Sequence, residues 1–227
     1  PSGRRWTLRL ENGEQVAARR VVANVPPGAL DRLRGRRPAL PAEGDAWGAF
    51  VLHVGFDGTD LGPVHPFHQV ISSKEDLDAE GASALVSVFP GPGGRDDRWS
   101  ISVSTHTKAA GWFDSPGRLA CRRAGLESRL LGAAAQVIPD LDDRVRMVRS
   151  ATPATFERYT GRPGGLVGGL VQRPGNVALR APGHRPEPGL FLAGDHVFPG
   201  QGTVGTALSG INAYRDAAES LGVRPLL

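Results

Sequence analysis

The chain has 227 residues, with 40% hydrophobic and 22% charged side chains, the composition of an ordinary globular protein of one large or two small domains. No window approaches the roughly 18 apolar residues of a membrane-spanning helix, and a single cysteine, Cys121, excludes an internal disulfide and fits a reducing, cytoplasmic compartment. The formal net charge of +4 is nearly all arginine, and no RNP-like aromatic pattern or zinc-finger spacing accompanies it, which argues against nucleic acid.

Trp6, Leu8 and Leu10 alternate, and Asn12-Gly13 supplies a turn, so residues 6–25 predict strand, turn and strand. Val21 to Val25 is a short apolar run suited to a buried strand, stopped by Pro26-Pro27 ahead of a short helix in "PGALDRLR". "WGAFVLHVGFD" places Phe50, Leu52, Val54 and Phe56 on one face, and "SALVSVF" and "WSISVSTH" alternate likewise. These are antiparallel-type strands with one covered face. A helix is expected from an N-cap at Ser115, with Leu119, Leu126, Leu130, Ala134 and Val137 as its buried stripe, up to Pro139. "RVRMVRS" alternates again, and "TPATFERYT" suits a capped helical turn. "GRPGGLVGGLVQRPG" reads as a glycine-rich loop. "GLFLAGD" reads as a buried strand, and "TVGTALSGINAYRDAAESLG" as a helix burying Val204, Leu208, Ile211 and Leu221.

Gly200, Gly202 and Gly205 form a formal G-x-G-x-x-G, the dinucleotide fingerprint. A complete unit needs strand, tight glycine turn, helix and a second strand. Here "HVFP" separates the strand from the glycines, and only "VRPLL" follows the helix. What remains is a strand ending at Gly194-Asp195, a glycine loop and a helix N-terminus. Such a terminus presents unpaired N–H groups and partial positive charge. The glycines let a flat or anionic ligand approach the backbone, and Asp195 can accept hydrogen bonds from sugar-like hydroxyls. The alternative is a tight turn with ordinary helix packing.

"GLFLAGDHVFPGQGTVGTALSG" resembles the C-terminal FAD motif of phytoene-desaturase-type carotenoid oxidoreductases, a family of desaturases, ketolases and isomerases. "TPATFERYTGRPGGLVGGL" resembles the segment that precedes it there, and "LENGEQVAARRVVANVPP" resembles an earlier cofactor stretch, with Arg19-Arg20 where an acidic residue is common. The resemblance implies an α/β (α+β) fold: the C-terminal part of a two-part, Rossmann-like FAD-binding domain with an inserted antiparallel-sheet substrate domain. It assigns residues 1–40 and 151–227 to the FAD domain and 41–150 to the substrate domain. It also implies that the ADP-binding fingerprint, which these 227 residues lack, comes from a missing N-terminal half or a partner chain. Gly194 and Asp195 would then bind the cofactor, Asp195 by hydrogen-bonding its ribitol or pyrophosphate region. The backbone N–H groups of Gly202, Thr203 and Val204 would face the flavin pyrimidine edge. The catalytic residues stay unknown, and the substrate would be a hydrophobic polyene.

Other constellations carry less. "HPFH", His65 to His68, has i,i+3 spacing, but proline disfavours a ligand helix and no partner ligand lies nearby, so no metal is expected. His196 stands beside Asp195, where it would face the flavin or pack at the motif edge. Ser209 lacks the first glycine of a nucleophile elbow, and Cys121 reads as a small core residue. Basic clusters, "RLRGRR" at Arg32 to Arg37 above all, suit peripheral contact with an anionic membrane surface or simply solvated faces. Three functions follow: an FAD-dependent carotenoid oxidoreductase, another oxidoreductase of the flavin amine-oxidase superfamily, or a non-catalytic half-domain that needs a partner.

Overall fold

The computed structural model describes residues 5–37, 46–72, 76, 79–166 and 184–226. In chain order its elements are β1 (Trp6–Arg9), β2 (Gln15–Ala18), β3 (Val21–Ala23), α1 (Pro27–Leu33), β4 (Trp47–Phe56), β5 (Phe67–Ile71) and β6 (Ser83–Phe89). There follow β7 (Trp99–Lys108), α2 (Pro116–Ala135), α3 (Leu141–Arg144), β8 (Val145–Ala151), α4 (Pro153–Thr160), β9 (Leu190–Leu192) and α5 (Thr203–Ser220). The chain is mixed α/β and divides into two compact units, residues 1–41 with 168–227, and residues 42–167. The segment 152–166, with its capped helix α4, belongs to the second of these.

The second unit is a five-stranded antiparallel sheet in the order β5-β6-β7-β4-β8 with α2 on one face. Its covered face comes directly from the period-2 pattern. Phe50, Leu52, Val54 and Phe56 of β4, Val86 and Val88 of β6, and Ile101 and Val103 of β7 are all at most 3% exposed. Leu126, Leu130, Ala133 and Ala134 of α2 close the core above them. Each fully buried side chain of this size contributes roughly 1.5–3 kcal/mol. Strand β5 and helix α3 have no counterpart in the sequence pattern. The i,i+3 histidines sit at the head of β5, where the ring of His68 meets the carbonyl of His65 at 2.8 Å. No cluster of metal-ligating side chains occurs among the described residues.

A polar staple holds α2 to the sheet. The carboxylate of Glu80 accepts hydrogen bonds from the Thr107 hydroxyl, the Lys108 backbone N–H (2.9 Å) and the Arg122 guanidinium (2.6 Å). Trp112, 2% exposed and stacked on Phe50, donates its Nε1–H to the Thr107 hydroxyl at 2.8 Å. Burial pushes the Glu80 carboxyl upward, but these hydrogen bonds and the charge of Arg122 outweigh it and hold the group below its ordinary range. Cys121, expected in the core, is exposed on α2, because the helix buries the stripe through Leu126 and Leu130 and Cys121 falls outside it. Ser115 takes the N-cap position with extended backbone but makes no side-chain cap.

In the first unit β1 and β2 form a hairpin, with Gly13 in its turn at φ 85°. Leu8 and Leu10 are 39% and 43% exposed, so the alternation marks a strand without marking a buried face. Strand β3 pairs in parallel with β9, Val21 opposite Leu190 and Ala23 opposite Leu192. Proline at the first position of α1 starts that helix as the sequence requires. In the "RLRGRR" cluster, Arg34 and Arg36 both pair with Glu187. Most of the glycine-rich stretch "GRPGGLVGGLVQRPG" lies outside the described residues. No described helix is long and apolar enough to cross a membrane.

Candidate functional site

The sequence-predicted residues Gly194, Asp195, Gly202, Thr203 and Val204 fall on one continuous strand–loop–helix connection of the first unit. Strand β9 is buried throughout, with Leu190, Phe191 and Leu192 at most 4% exposed, as expected of a parallel strand covered on both faces. The ladder continues one residue further, Ala193 N–H donating to the Ala23 carbonyl at 3.1 Å. Gly194 then turns the chain at φ 124°, close enough to Asn24 that a Cβ would lie 3.0 Å from its side-chain oxygen.

Asp195 follows, its side chain 14% exposed, with His196 Nδ1 at 2.8 Å from Oδ1. The histidine thus orients the carboxylate. Val197, 1% exposed, anchors the loop, and its carbonyl accepts from the Gly200 N–H at 2.8 Å. Phe198, by contrast, is 63% exposed.

The two glycines nearest the helix have different duties. A Cβ on Gly205 would stand 2.6 Å from the Gly200 carbonyl oxygen, so Gly205 lets the loop fold onto the first turn of α5. Gly202, at φ 90° and ψ 159°, occupies backbone space that is essentially glycine-only, and a Cβ there would meet nothing within 4 Å. One glycine therefore serves internal packing, and the other leaves an open approach to the helix terminus. By helix geometry the N–H groups of Thr203, Val204 and Gly205 have no intrahelical acceptor, while Thr206 already bonds the Gly202 carbonyl at 2.9 Å. Eighteen residues of aligned peptide dipoles stand behind them.

The buried face of α5 corrects the sequence expectation. Val204 is 73% and Leu208 42% exposed, whereas Ser209, Ala213, Ala217 and Ala218 are the buried residues. Small side chains let the helix lie close on Phe191, whereas Val204 and Leu208 face outward and Ile211 and Leu221 are half-buried. Ser209, unremarkable as a nucleophile, is fully buried and accepts the Gly194 N–H at 2.8 Å. Its position seven residues past the fingerprint glycine was the available signal. An open helix N-terminus and a part-buried carboxylate on the same strand–loop–helix connection suit the anionic and hydroxylated parts of a flavin nucleotide.

In the second unit, the face of the sheet turned away from α2 carries a concavity of about 280 Å³. Trp47, Ala49, Gln69, Ser83, Leu85, Ser104 and His106 line it. The Trp47 ring is held edge-on by His106, with centroids 4.7 Å apart, and by Lys108, whose Nζ lies 3.9 Å from the ring centroid. The sequence pattern marked these strands but assigned nothing to their second face.

Comparison with known proteins gives the cradle its context. Prolycopene isomerase 1 of an Oncidium hybrid cultivar, a chloroplastic protein, is 32% identical over 89 residues, 39% of this chain and 15% of its own length. The prolycopene isomerase of Arabidopsis thaliana is 22% identical over 241 residues, covering 97% of this chain and 40% of that protein. The chain thus spans well under half the length of these curated relatives. Among solved structures, tetracycline destructase Tet(55) aligns with a TM-score of 0.46 at 11% identity, over 97% of this chain and 49% of that one. The family model for flavin containing amine oxidoreductases matches residues 2–217. With almost the whole sequence matched, and its cradle suited to a flavin, the chain belongs to the flavin containing amine oxidoreductase family.

Proposed function

We propose that this chain is the C-terminal part of an FAD-dependent oxidoreductase that acts on a carotenoid or a similar polyene, by isomerisation or desaturation. The observation that carries the reading is the open helix terminus at Gly202, seven residues after Asp195 on the same connection, in a chain whose relatives include prolycopene isomerases. FAD supplies the redox chemistry when bound. The chain's own residues have two tasks. When FAD is bound, the N–H groups of Gly202, Thr203 and Val204 would hold the pyrimidine edge of the flavin and would favour negative charge there. Asp195, held by His196, would bind the ribitol or the adjoining diphosphate region. The ADP portion requires a glycine fingerprint carried by a further segment or partner.

The uncovered face of the five-stranded sheet provides the surface for the polyene. Phe67, Ile71, Leu85 and Phe89 lie there, 43–64% exposed, and Leu85 also lines the concavity at Trp47. Apolar area of that kind is where a long hydrophobic substrate loses its contact with water. The test is flavin titration of the chain by fluorescence, with and without a companion segment carrying the ADP-binding fingerprint. Chromatography of a cis-polyene incubated with the flavin-loaded protein follows. Flavin uptake with isomerised or desaturated product supports the reading. Flavin uptake with turnover of amines and none of polyenes moves the substrate elsewhere in the same superfamily.

A further inference from the structure

Every outward residue of β7 is polar: Ser100, Ser102, Ser104, His106 and Lys108. This row crosses the middle of the uncovered sheet face, flanked by Ser83, Leu85, Ser87 and Phe89 of β6. A wall built for a pure hydrocarbon has no use for such a row. Each hydroxyl or imidazole it covered would lose water without gaining a partner.

The hydrogen-bonding of the row is uneven. Ser102 is satisfied by His53, whose Nδ1 lies 3.0 Å from its hydroxyl. In the concavity the pattern differs: the Gln69 amide, the Ser83 and Ser104 hydroxyls and the His106 imidazole bond no protein group among the described residues. Register brings them together, Gln69 opposite Leu85, Leu85 opposite Ser104, and Ala49 opposite His106. These four polar groups surround a space bounded by the fixed indole of Trp47 and by Leu85. At about 280 Å³ it is smaller than the roughly 300–1,000 Å³ of a whole small-molecule site. It has room for one ring.

We infer that this concavity binds an oxygen-bearing terminal ring of the polyene, so that the substrate is an oxygenated polyene and not a hydrocarbon. A terminal hydroxyl both donates and accepts, and Gln69, Ser104 and His106 together offer both roles. A keto group accepts from Gln69 and the hydroxyls. The ring lies against Trp47 and Leu85, and the chain runs over the apolar margin at Phe67 and Phe89. The inference rests on the reading above that this sheet face receives the polyene.

The probes are a C40 polyene bearing one hydroxyl on each terminal ring and its parent hydrocarbon, both in detergent micelles. Binding to the 227-residue chain is followed by quenching of tryptophan fluorescence. The dihydroxy polyene should bind about tenfold more tightly than the hydrocarbon. In Gln69→Leu/Ser104→Ala and in His106→Leu the two affinities should converge, through loss of the dihydroxy polyene's advantage. These are surface-face substitutions that leave the covered core intact, and circular dichroism verifies folding. A hydrocarbon that binds as tightly as the dihydroxy polyene overturns the inference and leaves the polyene reading standing. So does a preference that survives both variants. Binding of neither polyene removes the polyene reading and the inference with it.

Discussion

The hydroxyl of Ser209 accepts the backbone N–H of Gly194 at 2.8 Å and donates to the Thr206 carbonyl at 2.7 Å. One fully buried side chain thereby ties the end of β9 to the first turns of α5, and the loop carrying Asp195 hangs between the two. Ser209→Ala leaves the Gly194 N–H without its acceptor, at a cost of about 1–3 kcal/mol. We expect a lower melting temperature together with weaker flavin binding. A variant with wild-type melting and flavin affinity would show the bond to be dispensable.

On the proposed reading, Asp195→Ala in the protein completed by its ADP-binding segment should lower FAD affinity roughly 10- to 150-fold, the worth of a charge-assisted acceptor of about 1.5–3 kcal/mol. His196→Asn, whose amide N–H can replace the imidazole donor, should retain most of the affinity, whereas His196→Leu should not. Isothermal titration with FAD, in the presence of the segment carrying the ADP-binding fingerprint, measures all three. Unchanged FAD binding in Asp195→Ala is incompatible with the assignment.

Gly202 and Gly205 separate binding from folding. Gly205→Ala forces a Cβ to 2.6 Å from the Gly200 carbonyl, so the loop must shift and thermal stability should fall even without cofactor. Gly202→Ala meets no neighbour and costs only its backbone strain, about 1–3 kcal/mol. Its methyl group also obstructs the approach to the helix N-terminus. Flavin affinity should therefore fall further than stability in Gly202→Ala. Equal losses in the two variants would contradict the division of labour.

Glu80→Gln tests the staple between α2 and the sheet. The carboxyl is held below its ordinary range in the folded state, so the ionised form is the one that folding favours. Its contribution is fully present above the unfolded-state value, about 4.3. It is lost as pH falls through the lower folded value. The variant should be less stable than wild type by on the order of 1–3 kcal/mol at neutral pH, and the gap should close in acid. Urea unfolding at pH 7 and pH 3 reads this directly. A gap that does not change with pH would mean that the carboxylate's ionisation is not what stabilises the contact.

Much of the chain was legible because its signals are local. Period-2 alternation placed β4, β6, β7 and β8 and the covered face through Phe50, Leu52, Val54 and Phe56. Thr152 followed by Thr155 forms a reciprocal cap at the start of α4, written within four residues. Strand β5 escaped because its five residues, "FHQVI", are pinned by pairing with β6 and are half polar. Cys121 and the outward face of α5 were misjudged for a related reason. Helical periodicity gives a stripe, but which stripe is buried depends on what packs there. On α5 the small residues Ser209, Ala213 and Ala217 won the core, since close approach to β9 excludes larger ones.

By itself the sequence determined where strands and helices form, that Asp195 and the glycines share one strand–loop–helix connection, and which family the motif resembles. These follow from backbone preferences and neighbours a few residues apart, which a linear chain records. Only the tertiary structure decided that Gly205 serves packing while Gly202 stays open, and that Ser209 anchors Gly194 from 15 residues away. It alone gathered Gln69 of β5 and Ser104 and His106 of β7 into one concavity. Those outcomes depend on strand register and on backbone-to-backbone distances across the fold, quantities set by the packing of the whole unit and by no local stretch of it.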